Sequence, residues 1–320
     1  MINSIEEVVK LLKNSKKVAI FCHTRPDGDA LGGMLALTLA LRSAGKHAVA
    51  FCEDEPSEKF SFLPAMKEVK TTFKAAEYDL FVSVDCADLA RMGSLSNPFA
   101  KFKGITLNID HHISNTKFAK YNYVNECPAS CQILASILTQ AKFDINKEVA
   151  DLLMLGLITD SGNFTHSDVT AVTFQTAATL RDLGADVQAI NYYMYQRQPK
   201  ARAELYGRVM KHIHYLHDDK FAYIIISARD IKECGADNSM TEGFVDFPLT
   251  VDGVEVSAAL LEFKKGQYKT SLRSKGKVNV NAVASLFGGG GHILASGCML
   301  FGSLEEVIDK LSYAVYQNLS

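Results

Sequence analysis

Two kinds of apolar run alternate along the first half of the chain. The short kind is nearly free of charge: KKVAIFC at 16–22, HAVAFC at 47–52, DLFVSVD at 79–85 and ITLNID at 105–110. Such runs predict strands covered on both faces. The long kind repeats with a helical period and predicts helices over 4–14, 29–45, 130–142, 146–162 and 168–184. Strands alternating with helices predict an α/β domain built on a doubly wound, mostly parallel sheet. The pattern then turns polar and helical from 186 to 217, where Tyr192, Tyr193 and Tyr195 cluster. An amphipathic helix packed between domains is the reading of that stretch. Beyond Asp218, strands are expected over 220–227, 253–263 and 268–274, and helices over 279–287 and 304–317. This is a smaller α+β unit. The organisation expected is a catalytic domain over 1–185, a helical linker over 186–217 and a C-terminal domain over 218–320, with a cleft between the two domains.

Composition narrows the class. A chain of 320 residues with 48 % hydrophobic and 22 % charged residues reads as an ordinary globular protein of two domains. A net charge of −2 excludes a strongly cationic nucleic-acid binder and leaves room for a local basic pocket. No signal peptide and no apolar run long enough for a membrane span are visible, and the seven cysteines form no CxxC pair. A reduced cytoplasmic protein is expected. Cys127 and Cys131 are read as small buried side chains rather than ligands.

The candidate chemistry gathers at the ends of apolar runs. FCHTRPDGDALGG supplies His23, Asp27 and Asp29; VSVDCAD supplies Asp85; NIDHHISN supplies Asp110, His111 and His112; LITDSGNF supplies Asp160. In an open α/β sheet the carboxyl ends of the strands form the ligand crevice. Converging carboxylates repel, and a bound cation relieves that. Taken singly these residues have plainer roles: Asp29 could cap its helix, and Pro26-Asp27-Gly28 is turn chemistry. Taken together they are a metal site. Mixed oxygen and imidazole donors suit Mn²⁺, with Fe²⁺ or Co²⁺ possible. Six or more ligands fit two ions with a carboxylate bridging them, an arrangement that drives displacement at phosphorus.

In the second domain, SLFGGGGHILASG carries four successive glycines, Gly288 to Gly291, followed by His292. Such a loop lets backbone N–H groups approach an anion. Arg273, in SLRS, has the planar fork suited to phosphate. That domain looks built to hold a phosphorylated ligand.

HTRPDGDALGG, VDCAD, NIDHHISN and ITDSGNF, in that order, resemble the four motifs of the DHH phosphoesterases, and SLRS with FGGGGH resembles their associated C-terminal domain. The likeness covers essentially the whole chain and is greatest to the bifunctional oligoribonucleases and 3′-phosphoadenosine-5′-phosphate (pAp) phosphatases. It implies that His23, Asp27 and Asp85 hold one Mn²⁺, and that Asp29, Asp85, His111 and Asp160 hold a second, with Mg²⁺ or Co²⁺ able to substitute. Asp110 would orient the site, His112 would touch the scissile phosphate, and Asn115 would brace the loop. Arg273, Gly289, Gly290, Gly291 and His292 would hold the rest of the substrate. The activity implied is hydrolysis of very short RNA to mononucleotides and of pAp to AMP, two metals activating the attacking water. Linear or cyclic dinucleotides, or longer single strands, are alternative substrates in the same superfamily. A non-catalytic nucleotide or tRNA-end binding module is the alternative of another class. The partner expected is a short single-stranded RNA or small nucleotide; no membrane and no stable protein partner are implied, and a homodimer is possible.

Overall fold

A computed structural model describes residues 4–73 and 78–319. The chain forms two compact units, 1–197 and 198–320. The first opens with helix α1 (Ile5–Asn14), whose N-terminal N–H of Glu7 is accepted by the Ser4 hydroxyl. Four strands follow the four short apolar runs: β1 (Lys17–Phe21), β2 (His47–Phe51), β3 (Leu80–Val84) and β4 (Ile105–Asp110). A fifth, β5 (Tyr121–Val124), is half-buried and too short and polar for its period to be read. All five pair in parallel in the order β2-β1-β3-β4-β5. The chain runs from β1 outward to β2 and then returns to place β3 on the other side of β1. That reversal makes a topological switch point at the carboxyl ends of β1 and β3.

Both faces of the sheet are covered, unequally. One packs on the long helices α2 (Gly28–Ser43), α4 (Ser130–Ala141) and α5 (Lys147–Asp160), through Ile20, Val82, Leu107 and Ile109. The other is an aromatic cluster of Phe21, Phe51, Phe81 and Phe99, capped by the short helix α3 (Ser96–Lys101). Helices α2 and α5 approach unusually closely. A Cβ at Gly32 would lie 2.3 Å from the Leu152 carbonyl oxygen, and one at Gly156 would lie 2.4 Å from Asp29 Oδ1. Only glycine lets α5 pass so near a functional carboxylate.

Helix α6 (Ala171–Asp182) is shorter at both ends than its apolar period suggested. The polar stretch from 186 to 217 is not one helix. It breaks into α7 (Val187–Asn191), a π-turn over Tyr192–Gln196, α8 (Lys200–Met210) and the strand β6 (His214–Leu216). Pro199 stands at the N-cap of α8, where its missing N–H costs nothing and the residue before it is kept out of the helical region. Two of the tyrosines pack within the first unit: the Tyr193 ring stacks on Phe62 at 4.3 Å, and the Tyr195 hydroxyl donates to the Ile158 carbonyl.

The second unit continues with β7 (Phe221–Ile226), α9 (Ala228–Glu233), α10 (Asp246–Leu249), β8 (Val256–Lys264), β9 (Gln267–Ser274), α11 (Val280–Ser285), β10 (Gly290–Gly291), β11 (Ala295–Phe301) and α12 (Leu304–Tyr316). Its sheet runs β10-β11-β9-β8-β7-β6, antiparallel except for β7 on β8. The glycine-rich segment, expected as a free loop, is partly a strand. Gly290 and Gly291 pair with Gly297 and Ser296, and a Cβ at Gly289 would lie 2.2 Å from the Gly297 carbonyl oxygen. Those glycines let a hairpin close. The sequence reading missed β11, because ASGCMLF has small residues where a strand usually shows branched ones.

Candidate metal centre

Six of the predicted ligands converge at the switch point. Within the described residues, one ligand atom from each of His23, Asp27 and Asp85 lies within 4.8 Å of the others, and the same holds for Asp29, His111 and Asp160. A third such group joins Asp85 to Asp110, His111 and His112.

Local structure fixes each donor. His23 follows β1, and its ring Nδ1 lies 2.8 Å from the Thr24 carbonyl oxygen. His111 follows β4, and its Nδ1 lies 2.8 Å from the Cys127 carbonyl oxygen. A carbonyl can only accept, so both Nδ1 atoms carry a proton and both Nε2 atoms face inward. Asp27, rather than Asp29, caps α2: its Oδ1 accepts from the N–H groups of Asp29 and Ala30, leaving Oδ2 toward His23. Asp29 is fully buried and receives the N–H groups of Ser130 (2.6 Å) and Cys131 (2.9 Å) at the start of α4. The positive end of that helix suits a carboxylate. Asp160 is the last residue of α5, within the helix that its apolar period predicts. There the negative helix terminus disfavours its charge.

Asp85 stands at the centre. It is buried and held in the left-handed region at φ 55°, a conformation aspartate tolerates better than most residues. Its Oδ2 is 3.5 Å from His23 Nε2, and its Oδ1 is 3.4 Å from His111 Nε2. One carboxylate thus faces both imidazoles, one oxygen to each. The Ser130 hydroxyl donates to Oδ1 at 3.1 Å. Nothing in PASCQ announces that contact; it spans 45 positions and exists only because α4 starts beside β3.

His112 is arranged differently. Its Nδ1 lies 2.8 Å from Asp110 Oδ1, and the other Asp110 oxygen accepts from the Asn115 amide at 2.6 Å. Asn115 also donates to the Cys86 carbonyl. Asp110 is fully buried, while the His112 side chain is 31 % exposed, and among the described residues its Nε2 makes no hydrogen bond. The thiols of Cys127 and Cys131 join none of these groups; Cys127 contributes its carbonyl and Cys131 packs beside Gly156.

The electrostatics suit a cation. Burial opposes charge on His23, but its contacts with Asp27 and Asp85 outweigh that and push the imidazole up to about 10. Burial likewise opposes charge on His111, and Asp160 and Asp85 overcome it and push it up to about 12. Burial also works against ionised Asp85, yet the two histidines hold its carboxyl well below the ordinary range. Asp29 is pushed well above that range by burial and by the charges of Asp85 and Asp160, and Asp160 is raised chiefly by burial. Protons on the imidazoles therefore do the work that a metal would do. His111 Nε2 lies 3.1 Å from Asp160 Oδ2 yet makes no hydrogen bond. A buried ring nitrogen aimed among carboxylate oxygens, with its ring braced from behind by a carbonyl, is the arrangement of metal-ligating histidine. The donor set fits divalent ions of the borderline kind.

The remaining predicted residues lie in the second unit. Arg273, on β9, pairs through Nε with Asp246 Oδ1 at 3.0 Å and donates from Nη1 to the Leu272 carbonyl. His292 begins a tight turn closed by its N–H to the Ala295 carbonyl, with its side chain exposed.

Known proteins resemble the chain over nearly its whole length. Residues 17–157 match the DHH family, N-terminal domain, and residues 218–319 match the DHHA1 domain. The chain is 28 % identical over 99 % of its length to the bifunctional oligoribonuclease and PAP phosphatase NrnA of Thermus thermophilus, covering 94 % of that protein. It superposes with TM-score 0.85 on an exopolyphosphatase-related protein from Bacteroides fragilis, at 26 % identity, covering 98 % of this chain and 95 % of that one. Exonuclease RecJ bound to manganese shares the fold at TM-score 0.52 and 16 % identity, covering 100 % of this chain and 95 % of that one.

Proposed function

Since the chain belongs to the DHH family and carries the associated DHHA1 domain, we propose that it is a phosphoesterase that cleaves very short RNA to mononucleotides and pAp to AMP. One observation carries the reading: the two oxygens of buried Asp85 face two inward-turned imidazoles, 3.5 Å from His23 and 3.4 Å from His111. We assign one Mn²⁺ to His23, Asp27 and Asp85, and a second to Asp29, Asp85, His111 and Asp160. Bound there, the ions supply Lewis acidity to phosphoryl oxygens and lower the pKa of water.

The chain's own residues do the rest. Asp110 holds His112 Nδ1, and Asn115 holds Asp110, so the ring is fixed with only Nε2 left to meet the substrate. That nitrogen contacts the scissile phosphate and, when protonated, donates to the leaving oxygen. Arg273, the backbone at Gly289, Gly290 and Gly291, and His292 grip a phosphate or base on the second unit. Catalysis thus belongs to the first unit and substrate holding to the second. Free thiols throughout the described cysteines fit a reducing cytoplasm, and no helix of the described residues is long and apolar enough to cross a membrane.

The test is Mn²⁺-dependent release of phosphate from pAp, together with release of mononucleotide from a labelled dinucleotide. Failure of both substrates across Mn²⁺, Co²⁺ and Mg²⁺ overturns the assignment.

A further inference from the structure

Asp85 carries the proposed centre, yet its backbone lies in a region most residues avoid, at φ 55°. Two anchors hold it there, one on each side, and both come from β4. Upstream, the Asp85 N–H donates to the Ile109 carbonyl at 3.0 Å and carries the β3–β4 ladder one step beyond Val84. Downstream, the Cys86 carbonyl accepts from the Asn108 side-chain amide at 3.3 Å. A left-handed residue turns the chain out of the strand, and from there a side chain of β4 replaces its backbone as the partner.

The position of Asn108 is otherwise a poor one for an amide. Leu107 and Ile109 face the long helices, so Asn108 faces the opposite, aromatic side of the sheet, paired with Ser83 of β3. It is fully buried. Among the described residues, neither its Oδ1 nor the Ser83 hydroxyl has a hydrogen-bond partner. A buried acceptor without a partner costs stability. The hydrogen bond that this amide does make goes to the Cys86 carbonyl. The Asn115 amide meets the same carbonyl at 3.2 Å, but from a half-buried loop. Asn108 is the donor fixed in the sheet, and Asn115 can follow the carbonyl where it moves.

We propose that Asn108 is a positioning residue for the metal centre: its amide sets the turn at Asp85 and Cys86 so that the two Asp85 oxygens stay turned to His23 and His111. It acts through the Cys86 carbonyl and touches neither substrate nor ligand atom. This deepens the metal assignment made above and rests on it.

The experiment is titration of Mn²⁺ into the EDTA-stripped full chain, followed by the electron paramagnetic resonance of the free ion. Wild type, Asn108→Leu and Ser83→Ala are compared, with melting curves of the stripped proteins and kinetics on pAp. Leucine keeps the branched shape of asparagine, removes the unpartnered oxygen and leaves Asn115 on the Cys86 carbonyl, so the stripped variant should melt close to wild type. Its Mn²⁺ affinity should fall about tenfold and its kcat about 10–100-fold, the scale for losing a partner behind a ligand, with KM unchanged. Ser83→Ala, on the same face without a contact to the turn, should bind Mn²⁺ as wild type does. A folded Asn108→Leu with wild-type Mn²⁺ affinity, or an equal loss in Ser83→Ala, overturns the proposal. Where leucine does not fold, Asn108→Ala is read in the same way, and failure of both to fold makes the amide a stability element and overturns the proposal too. Wild type that binds no Mn²⁺ removes the centre itself and the role of Asn108 with it. Wild type that binds, beside a variant that binds equally well, leaves the centre standing and removes only that role.

Discussion

The two ends of the proposed reaction are built on opposite principles. At the first unit's switch point every donor is buried or braced: His23 and His111 by carbonyls, Asp29 by two N–H groups, Asp85 by Ser130 and a strained backbone. On the second unit's sheet face Arg273 is paired with Asp246, while among the described residues Lys269 and Glu242 have no hydrogen-bond or ion-pair partner. A preorganised, desolvated cluster is made to act in the transition state. An open, unpaired set is made to bind. Changes in the first unit should therefore fall on kcat, and changes in the second on KM.

The largest effect tests the centre of the first arrangement. Asp85→Asn keeps a residue that accepts left-handed backbone, so the fold should survive, yet kcat should drop by about 10³-fold or more. Circular dichroism and thermal melting alongside kinetics check this; near-normal turnover in a folded variant breaks the comparison.

A pH effect follows from the same cluster. Without metal, the folded-state pKa values of His23 and His111 are raised to about 10 and about 12. At pH 8 both rings are then protonated, and metal must displace those protons. Mn²⁺ binding should release protons into weak buffer, and apparent affinity should rise with pH by up to about a hundredfold per unit while both rings remain protonated beforehand. Metal binding that is indifferent to pH between 7 and 9 would contradict this.

Asn115→Ala removes the brace on Asp110 without touching a ligand. It should cost about 10–100-fold in kcat, with Mn²⁺ affinity little changed. Arg273→Ala should raise KM about tenfold and spare kcat; a loss confined to kcat would place the guanidinium in the transition state. The smallest effect is expected from Cys127→Ala, which keeps the carbonyl that orients His111. Its activity should stay within about twofold of wild type, since only a small thiol is lost.

Much of this was legible before any coordinates. The four short apolar runs lie within a residue or two of β1 to β4, because strands buried on both faces leave no polar alternation to blur them. The acidic and histidine motifs could be read on chemical grounds: carboxylates and imidazoles crowded together are costly without a cation. Other features had no local signature. Strands β5 and β11 are short or built from small residues, and the 186–217 stretch kept a helical composition while Pro199 and a π-turn divided it. The glycine run signalled freedom, yet Gly289 is needed for a close hairpin contact.

The chain's own order of residues determined the kinds of donor, the periods of strand and helix and the likeness to a family, since these depend on side-chain chemistry and on repeats a few positions long. Tertiary structure decided that β3 lies beside β1 rather than beside β2, and hence that Asp85 faces His23. It also decided that α4 begins beside Asp29, that Asp160 hangs from a helix terminus, and that Lys269 and Glu242 share a cavity. Those pairings join residues far apart in sequence. They are set by which apolar faces can be buried together, a property of the whole packed chain.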